Sequence, residues 1–158
     1  MTLAIEVGKI LLEKKLTIST CESCTGGLLS SKLTDISGSS AYTTLNLVTY
    51  ANEAKHKMLE VSNETLERHG AVSEECAFEM AKGLHKLTDS DICVSTTGIA
   101  GPTGGTKEKP VGLMYSCIFT EDKYKIYKIL VNPDLSRTKI KEAFAEKALA
   151  NIYEFINH

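Results

Sequence analysis

The residues best suited to chemistry follow a predicted strand, in the segment 22–27. Ser23 lies between that strand and the turn 25–27, where its hydroxyl could act as a nucleophile at the start of a helix. Helix N-termini carry unpaired N–H groups and a positive dipole end, which stabilise a developing oxyanion. Gly26 and Gly27 allow the backbone to approach a ligand closely. Taken alone, the segment is more typical of a serine or threonine that only caps a helix.

A second candidate is the glycine-rich segment 98–110, which follows another predicted strand. Its backbone N–H groups could hold a phosphate, with Lys107 and Lys109 close by in sequence. The segment lacks the Gly-Lys-Ser/Thr ending of a Walker loop and does not match the Gly-x-Gly-x-x-Gly dinucleotide fingerprint. By itself it is equally consistent with a ligand-binding loop and with a mobile connection. Arg137 and Lys141 fall in the first turns of the last predicted helix. Their default interpretation is a solvated helix face, and the more specific alternative is a phosphate clamp.

Metal and thiol chemistry have little support in the sequence. Cys21 and Cys24 form a C-x-x-C pair, but a structural zinc site would need two further ligands, and no second pair is present. A thioredoxin-like role for this pair is a minor alternative. The histidines show no His-Glu-x-x-His spacing. We therefore expect no metal and no cofactor.

The pattern of apolar residues predicts alternating helices and strands that position these segments. Strands are predicted over 16–21, 43–50, 91–97, 111–120 and 124–131, the last two as an antiparallel hairpin. Helices are predicted over 2–14, after Gly27, from Asn52 as an N-cap, around 64–68, from Ser73 and from Ser136. This order predicts one domain, residues 1–158, with a three-layer α/β/α sandwich and a mixed sheet. The segments 22–27, 50–55 and 97–110 each follow a strand, where open α/β sheets bind their ligands.

Composition and charge argue against several classes of function. The 158 residues are 42% hydrophobic and 24% charged, with a formal net charge of −2. These values are typical of a soluble globular domain and give no electrostatic basis for binding nucleic acid or a membrane surface. No apolar run approaches the roughly 20 residues of a membrane-spanning helix, and the N-terminus lacks the pattern of a secretory signal. The five scattered cysteines suit reduced thiols, so we predict a cytoplasmic protein.

Taken together, the motifs resemble those of the CinA C-terminal domain family. They are ESCTGG at 22–27, VTYANEAK at 48–55, HGAVS at 69–73, GIAGP at 98–102, GG at 104–105 and EKPVG at 108–112. They occur in family order and with family spacing over nearly the whole chain. Because the best-understood members are nicotinamide-nucleotide amidases, the resemblance implies hydrolysis of nicotinamide mononucleotide to nicotinate mononucleotide and ammonia. Many relatives carry an additional N-terminal hydrolase domain, and we expect this sequence to be the stand-alone form.

The resemblance also implies a Ser–Lys dyad, with Ser23 as the nucleophile and Lys55 as its base. The residues alone do not separate Lys55 from Lys57 or from a solvated lysine; the family motif does. A lysine base must be neutral, which requires a pKa well below about 10.4. By the same resemblance, oxyanion or substrate-binding roles fall to Thr25, Gly26, Gly27, Tyr50, Asn52, Thr97, Gly98, Ile99, Ala100, Gly101 and Arg137. Arg137 stands in a Leu-Ser-Arg context where the family usually has Gly-Asp-Arg.

Two alternatives to this enzyme stay open at the level of sequence. The first is a non-catalytic nucleotide-binding or regulatory module on the same fold, against which the presence of both Ser23 and Lys55 argues. The second is an amidase of the same mechanism that acts on another amide. The expected partners are a small-molecule nucleotide substrate and a second copy of the chain in a homodimer. We expect no nucleic acid and no membrane among them.

Overall fold

The computed structural model describes residues 2–157 and contains a five-stranded mixed sheet with the order β2-β1-β3-β4-β5. The strands are β1 (Ile18–Glu22), β2 (Leu47–Val48), β3 (Ile92–Gly98), β4 (Leu113–Phe119) and β5 (Tyr124–Leu130). β1 is parallel to both of its neighbours, β2 and β3, whereas β3–β4 and β4–β5 are antiparallel pairs. The structure therefore confirms the mixed sheet and the hairpin at its end.

Helices cover both faces of the sheet, which confirms the predicted α/β/α sandwich. The helices are α1 (Leu3–Lys14), α2 (Leu28–Leu33), α3 (Asn52–Leu59), α4 (Asn63–Arg68), α5 (Glu74–Thr88) and α6 (Arg137–Ile156). α1, α2 and α6 pack together on one face, and α3, α4 and α5 on the other. The apolar stripe predicted for α6 is buried, with Phe144 and Ile152 fully enclosed. No helix within residues 2–157 combines the length and apolar character needed to cross a bilayer.

Two local predictions differ from the structure. The strand predicted over 43–50 is reduced to Leu47–Val48, because the side-chain oxygen of Asn46 accepts the backbone N–H of Thr20 at 3.0 Å. That amide takes a place that a backbone carbonyl would have in a longer strand. Asn52 is not the N-cap of α3. The cap is Ala51, whose carbonyl accepts the N–H of Lys55, so Asn52 is already the first helical residue.

α3 is held against α5 by a backbone contact at Gly83. A Cβ built on Gly83 would lie 1.8 Å from the carbonyl oxygen of Leu59, the last residue of α3. We expect Gly83→Ala to destabilise the protein by about 2 kcal/mol, because displacement of the packed helix outweighs the roughly 1 kcal/mol gain in helix propensity. Urea unfolding measures the change, with Lys82→Ala as the exposed neighbouring control. An unfolding midpoint above that of the wild type would contradict this packing argument.

Candidate active site

The carboxyl ends of β1, β2 and β3 open into one cavity of about 270 Å³. Its walls come from the segments that follow β1, β2 and β3, from the turn before α5 and from the first residue of α6. The segments after β1 and β2 lead into helices, whereas the segment after β3 leads into β4. The lining residues are Ser23, Cys24, Tyr50, Asn52, Lys55, Ala71, Val72, Thr97, Gly98, Ile99, Ala100, Gly101, Thr103, Gly104 and Arg137. The three segments therefore meet in space, as the parallel arrangement of their strands requires.

Ser23 and Lys55 meet at a single backbone carbonyl in this cavity. The Ser23 hydroxyl lies 3.4 Å from the carbonyl oxygen of Tyr50, and Lys55 Nζ donates to the same oxygen at 2.8 Å. Ser23 is 8% exposed and Lys55 only 1%. The structure has no direct hydrogen bond between these two side chains, which is common for catalytic pairs without substrate. Their shared acceptor nevertheless brings the amine and the hydroxyl to the same part of the cavity.

Burial lowers the pKa of the Lys55 amine below its ordinary value. Negative charge on Cys76, Cys24 or Cys21 would raise that pKa. However, burial also raises the pKa of the Cys24 and Cys76 thiols to about 12, so both are uncharged at neutral pH. Within residues 2–157, no carboxylate forms an ion pair with Lys55. The surroundings of Lys55 therefore favour the neutral amine, which is the form a general base requires.

The neighbouring thiol is a poor nucleophile by the same reasoning. Cys24 lines the cavity, but a thiol with a pKa of about 12 carries almost no thiolate at neutral pH. Burial also raises the pKa of Cys21 well above its ordinary range. These shifts argue against redox chemistry by the C-x-x-C pair and favour Ser23 over Cys24 as the nucleophile.

The start of α2 is occupied by Glu22, a residue to which the sequence analysis gave no role. Its carboxylate accepts the backbone N–H groups of Leu29 at 2.8 Å and Ser30 at 2.9 Å. Glu22 therefore already uses these two N–H groups, and they are not free to stabilise an oxyanion. The backbone N–H groups of Cys24 and Thr25 form no hydrogen bond to residues 2–157. Of these two residues, Cys24 lines the cavity, so its N–H is the available donor beside Ser23.

The structure divides the predicted substrate-binding residues between two cavities. Thr25, Gly26 and Gly27 do not line the cavity that contains Ser23; with Lys141 they line a second one of about 340 Å³. Thr25 is fully buried, and its hydroxyl donates to Glu22 at 2.6 Å. Its side chain is therefore engaged inside the protein, and only backbone N–H groups of this turn could face a substrate.

Arg137 joins two walls of the first cavity. Its guanidinium donates to the carbonyl oxygen of Gly101 at 2.6 Å and to the hydroxyl of Tyr50 at 2.9 Å. Arg137 is the first residue of α6 and is exposed. A guanidinium has five N–H donors, so this brace leaves donors for an anionic ligand. The structure thus gives Arg137 a bracing contact that its sequence context did not indicate.

Several residues of the cavity wall were missed from the sequence, namely Cys24, Ala71, Val72, Thr103 and Gly104. Each lies in or beside one of the motifs. Cys24 was considered only for metal or redox chemistry, and the side chains of the other four do not point to a catalytic role. The turn before α5 is brought to the wall by Thr97, whose hydroxyl donates to the carbonyl oxygen of Ala71 at 2.8 Å. Lys109 also donates to the carbonyl of His69, which fixes the glycine-rich segment against this turn.

A larger cavity of about 450 Å³ lies at the opposite end of the sheet, beside Ser90 and the turn between β4 and β5. Its polar groups serve local structure. Asp91, for example, accepts the backbone N–H of Thr17 at 2.8 Å and its hydroxyl at 3.1 Å. No three His, Cys, Asp or Glu side chains among residues 2–157 are grouped as metal ligands would be. The smaller cavity with the buried lysine is the better candidate.

Comparison with protein families gives one match over almost the whole chain. The CinA C-terminal domain matches residues 1–156. A CinA-like protein of Endomicrobium trichonymphae is 51% identical over 148 residues, which cover 94% of this chain and 34% of that protein. A CinA-like protein of Chloroherpeton thalassium is 48% identical and is matched over 99% of this chain and 38% of its own length. The chain thus spans about a third of the length of these curated relatives.

Solved structures of similar proteins have the same fold. The competence/damage inducible protein CihA of Agrobacterium tumefaciens superposes with a TM-score of 0.93 and 39% identity, over 99% of this chain and 94% of that one. The competence damage-inducible protein A of Klebsiella pneumoniae gives a TM-score of 0.94 at 31% identity, over 99% and 96% of the two chains. The described architecture is therefore shared with these proteins over nearly their full length.

Proposed function

This chain belongs to the CinA C-terminal domain family, and from that premise we propose that it hydrolyses the carboxamide of nicotinamide mononucleotide to nicotinate mononucleotide and ammonia. The observation that carries the proposal is the convergence of the Ser23 hydroxyl and the buried Lys55 amine on the carbonyl oxygen of Tyr50. A serine beside a desolvated lysine is a recurrent arrangement for acyl transfer. The sequence resemblance to nicotinamide-nucleotide amidases supplies the substrate.

Lys55 acts as the base in its neutral form. A neutral amine has two N–H donors and one lone pair. One N–H keeps its bond to the carbonyl of Tyr50, so the lone pair can accept the proton of the Ser23 hydroxyl. Ser23 Oγ then attacks the carboxamide carbon, and the negative charge develops on the carboxamide oxygen. The N–H group of Cys24, which lines the cavity, is the donor proposed to stabilise this oxyanion.

The protonated Lys55 completes both halves of the reaction. It gives its proton to the amide nitrogen, the C–N bond breaks, and ammonia departs. The nicotinoyl group is then bound to Ser23 as an ester. Water then attacks the ester carbon while Lys55 takes its proton, and the C–O bond to Ser23 breaks. The proton returns to Ser23 and releases nicotinate mononucleotide.

Ammonia release from nicotinamide mononucleotide by the purified protein tests this proposal directly. The assay contains a metal chelator, so that a contaminating metalloenzyme contributes nothing, and compares free nicotinamide and glutamine as other amides. We expect release from the mononucleotide. Release only from another amide would replace the proposed substrate. Binding of the mononucleotide without release, in protein shown to be folded, would replace the enzyme with a binding module.

Removal of the Arg137 guanidinium is expected to weaken binding of the substrate phosphate. Arg137→Ala should raise KM for the mononucleotide about 10-fold, since a charge-assisted contact is worth about 1.5–3 kcal/mol. Arg137→Lys should restore little, because an ammonium does not reproduce the planar fork that spans Gly101 and Tyr50. Steady-state kinetics with the phosphate-free nucleoside provide the control substrate, and Lys139→Ala the control variant. An equal rise in KM for both substrates would limit Arg137 to its bracing contact.

The proposed setting is the cytoplasm, with the protein as a homodimer that binds neither nucleic acid nor membrane. All five cysteines are buried free thiols, which supports a reducing compartment. Light scattering coupled to size-exclusion chromatography tests the dimer, and a monomeric mass at micromolar concentration would argue against it.

A further inference from the structure

Glu22 is a carboxylate enclosed in the protein without a cation to pair with it. It is fully buried, and no Lys, Arg or His among residues 2–157 forms an ion pair with it. Besides the N–H groups of Leu29 and Ser30, it accepts the hydroxyl of Thr25 at 2.6 Å. That short distance is typical of a charge-assisted O–H···O⁻ bond. Burial of a charge costs several kcal/mol, which three strong donors offset.

In the chain of hydrogen bonds that begins at Glu22, only one assignment of donors and acceptors is consistent. A carboxylate can only accept, so the Thr25 hydroxyl must donate its single hydrogen to Glu22. The Thr25 oxygen must therefore accept the hydroxyl of Thr96, which lies 2.8 Å away. The Thr96 oxygen in turn accepts the backbone N–H of Ser23 at 3.3 Å, and the Thr96 carbonyl accepts the same N–H at 3.0 Å. The chain of bonds leads back to the residue that follows Glu22.

We propose that Glu22 is a positioning residue for the nucleophile: its carboxylate, anchored on the first turn of α2, fixes Thr25 and Thr96 and through them the backbone of Ser23. The inference rests on the proposed role of Ser23. Because Glu22 also occupies the N–H groups of Leu29 and Ser30 at the start of α2, it leaves the N–H of Cys24 as the donor for the oxyanion. A side chain in this place sets geometry in the transition state more than it sets substrate affinity.

Glu22→Gln tests this role, because the amide nitrogen must face a donor N–H of Leu29 or Ser30 and cannot accept it. We expect kcat for ammonia release to fall about 100-fold while KM changes less than about threefold. The pH at which activity is half-maximal should not move, since burial and not Glu22 lowers the pKa of Lys55. Glu79→Gln is the matched control: Glu79 also accepts a backbone N–H and a threonine hydroxyl, from Ser62 and Thr65 in the region of α4. It should lose stability with kcat retained.

A substrate-independent readout separates this inference from the proposed function. A fluorophosphonate reacts with an activated serine: the Ser23 Oγ–P bond forms, the P–F bond breaks, fluoride leaves and the hydroxyl proton passes to Lys55. Mass spectrometry follows the labelling of Ser23, whose rate should also fall about 100-fold in Glu22→Gln. If labelling is slower in this variant but the wild type does not hydrolyse the mononucleotide, the proposed substrate is wrong and the positioning role of Glu22 is supported. Wild-type rates of labelling in folded Glu22→Gln, or no labelling of the wild type, would overturn the positioning role.

A second pair of variants covers the case in which Glu22→Gln does not fold. Thr25→Val keeps the shape of the side chain but removes the hydroxyl in the middle of the chain of bonds, and Thr25→Ser keeps that hydroxyl. We expect labelling and kcat to fall about 10-fold in Thr25→Val, and we expect Thr25→Ser, as the conservative variant, to recover most of that loss. Equal effects of the two substitutions would overturn the proposal, because a loss of packing alone would then explain them.

Discussion

Ser23→Ala is expected to lower kcat for ammonia release by at least about 10³-fold while the protein stays folded. The reason is that the neighbouring nucleophilic side chains of Cys24 and Thr97 are poor replacements for the lost hydroxyl. The Cys24 thiol is uncharged, because burial raises its pKa to about 12. The Thr97 hydroxyl is engaged, since it donates to the carbonyl oxygen of Ala71 at 2.8 Å. Ser23 as a whole is 8% exposed, and removal of its hydroxyl leaves the surrounding packing in place.

The measurement compares single-turnover and steady-state ammonia release with that of Ser90→Ala, which removes a buried serine hydroxyl at the far end of the sheet. Ser90→Ala should turn over within about threefold of the wild type, because surface and structural contacts remote from the cavity do not enter the chemical step. If Ser23→Ala keeps residual activity and the double variant Ser23→Ala, Cys24→Ala loses it, Cys24 is the nucleophile. Equal losses in Ser23→Ala and Ser90→Ala would point to misfolding.

The position of the site was predictable from the sequence because it follows from topology. Once β1, β2 and β3 are strands of one parallel set, their carboxyl ends must share an edge, and the loops after them must meet there. The choice of Lys55 over Lys57 also had a local basis that periodicity could have used. Lys55 is four residues before Leu59, and both lie on the buried face of α3, whereas Lys57 is exposed. An amphipathic pattern in α3 thus marks the lysine that is desolvated.

The role of Glu22 was not predictable, because its partners depend on tertiary structure. A glutamate at the end of a strand is usually solvated, and only the return of α2 over β1 brings the N–H groups of Leu29 and Ser30 to its carboxylate. The enclosure of the Thr25 side chain was not predictable for the same reason: a threonine in a turn is expected to cap a helix or bind a ligand, and here its hydroxyl lies between Glu22 and Thr96. Local propensity carries no information about such contacts.

The second large effect is expected for Lys55→Met, which should abolish turnover and also stabilise the protein at neutral pH. Loss of the base should lower kcat at least about 10³-fold, because neither water nor the carbonyl of Tyr50 can hold the Ser23 proton at neutral pH. Stability should rise because methionine removes an amine that is 1% exposed but can be charged. Its desolvation costs several kcal/mol, whereas the lost hydrogen bond to Tyr50 contributes about 1 kcal/mol. A net gain on the order of 1–3 kcal/mol follows.

The difference in stability between Lys55→Met and the wild type should depend on pH, because Lys55 can lose its proton. Burial lowers the pKa of Lys55 in the folded state below the ordinary value of 10.5, so between these two values the unfolded chain binds more protons. The free energy of unfolding of the wild type therefore rises with pH across that window. The advantage of Lys55→Met should be largest below the folded-state pKa and should shrink as pH increases towards 10.5. Over the same range, wild-type kcat/KM should increase as Lys55 loses its proton.

Urea unfolding at several pH values, with Lys57→Met as the exposed control, measures the stability difference. A difference that does not change with pH would show that Lys55 titrates normally, and a lysine with an ordinary pKa could not serve as the base of Ser23.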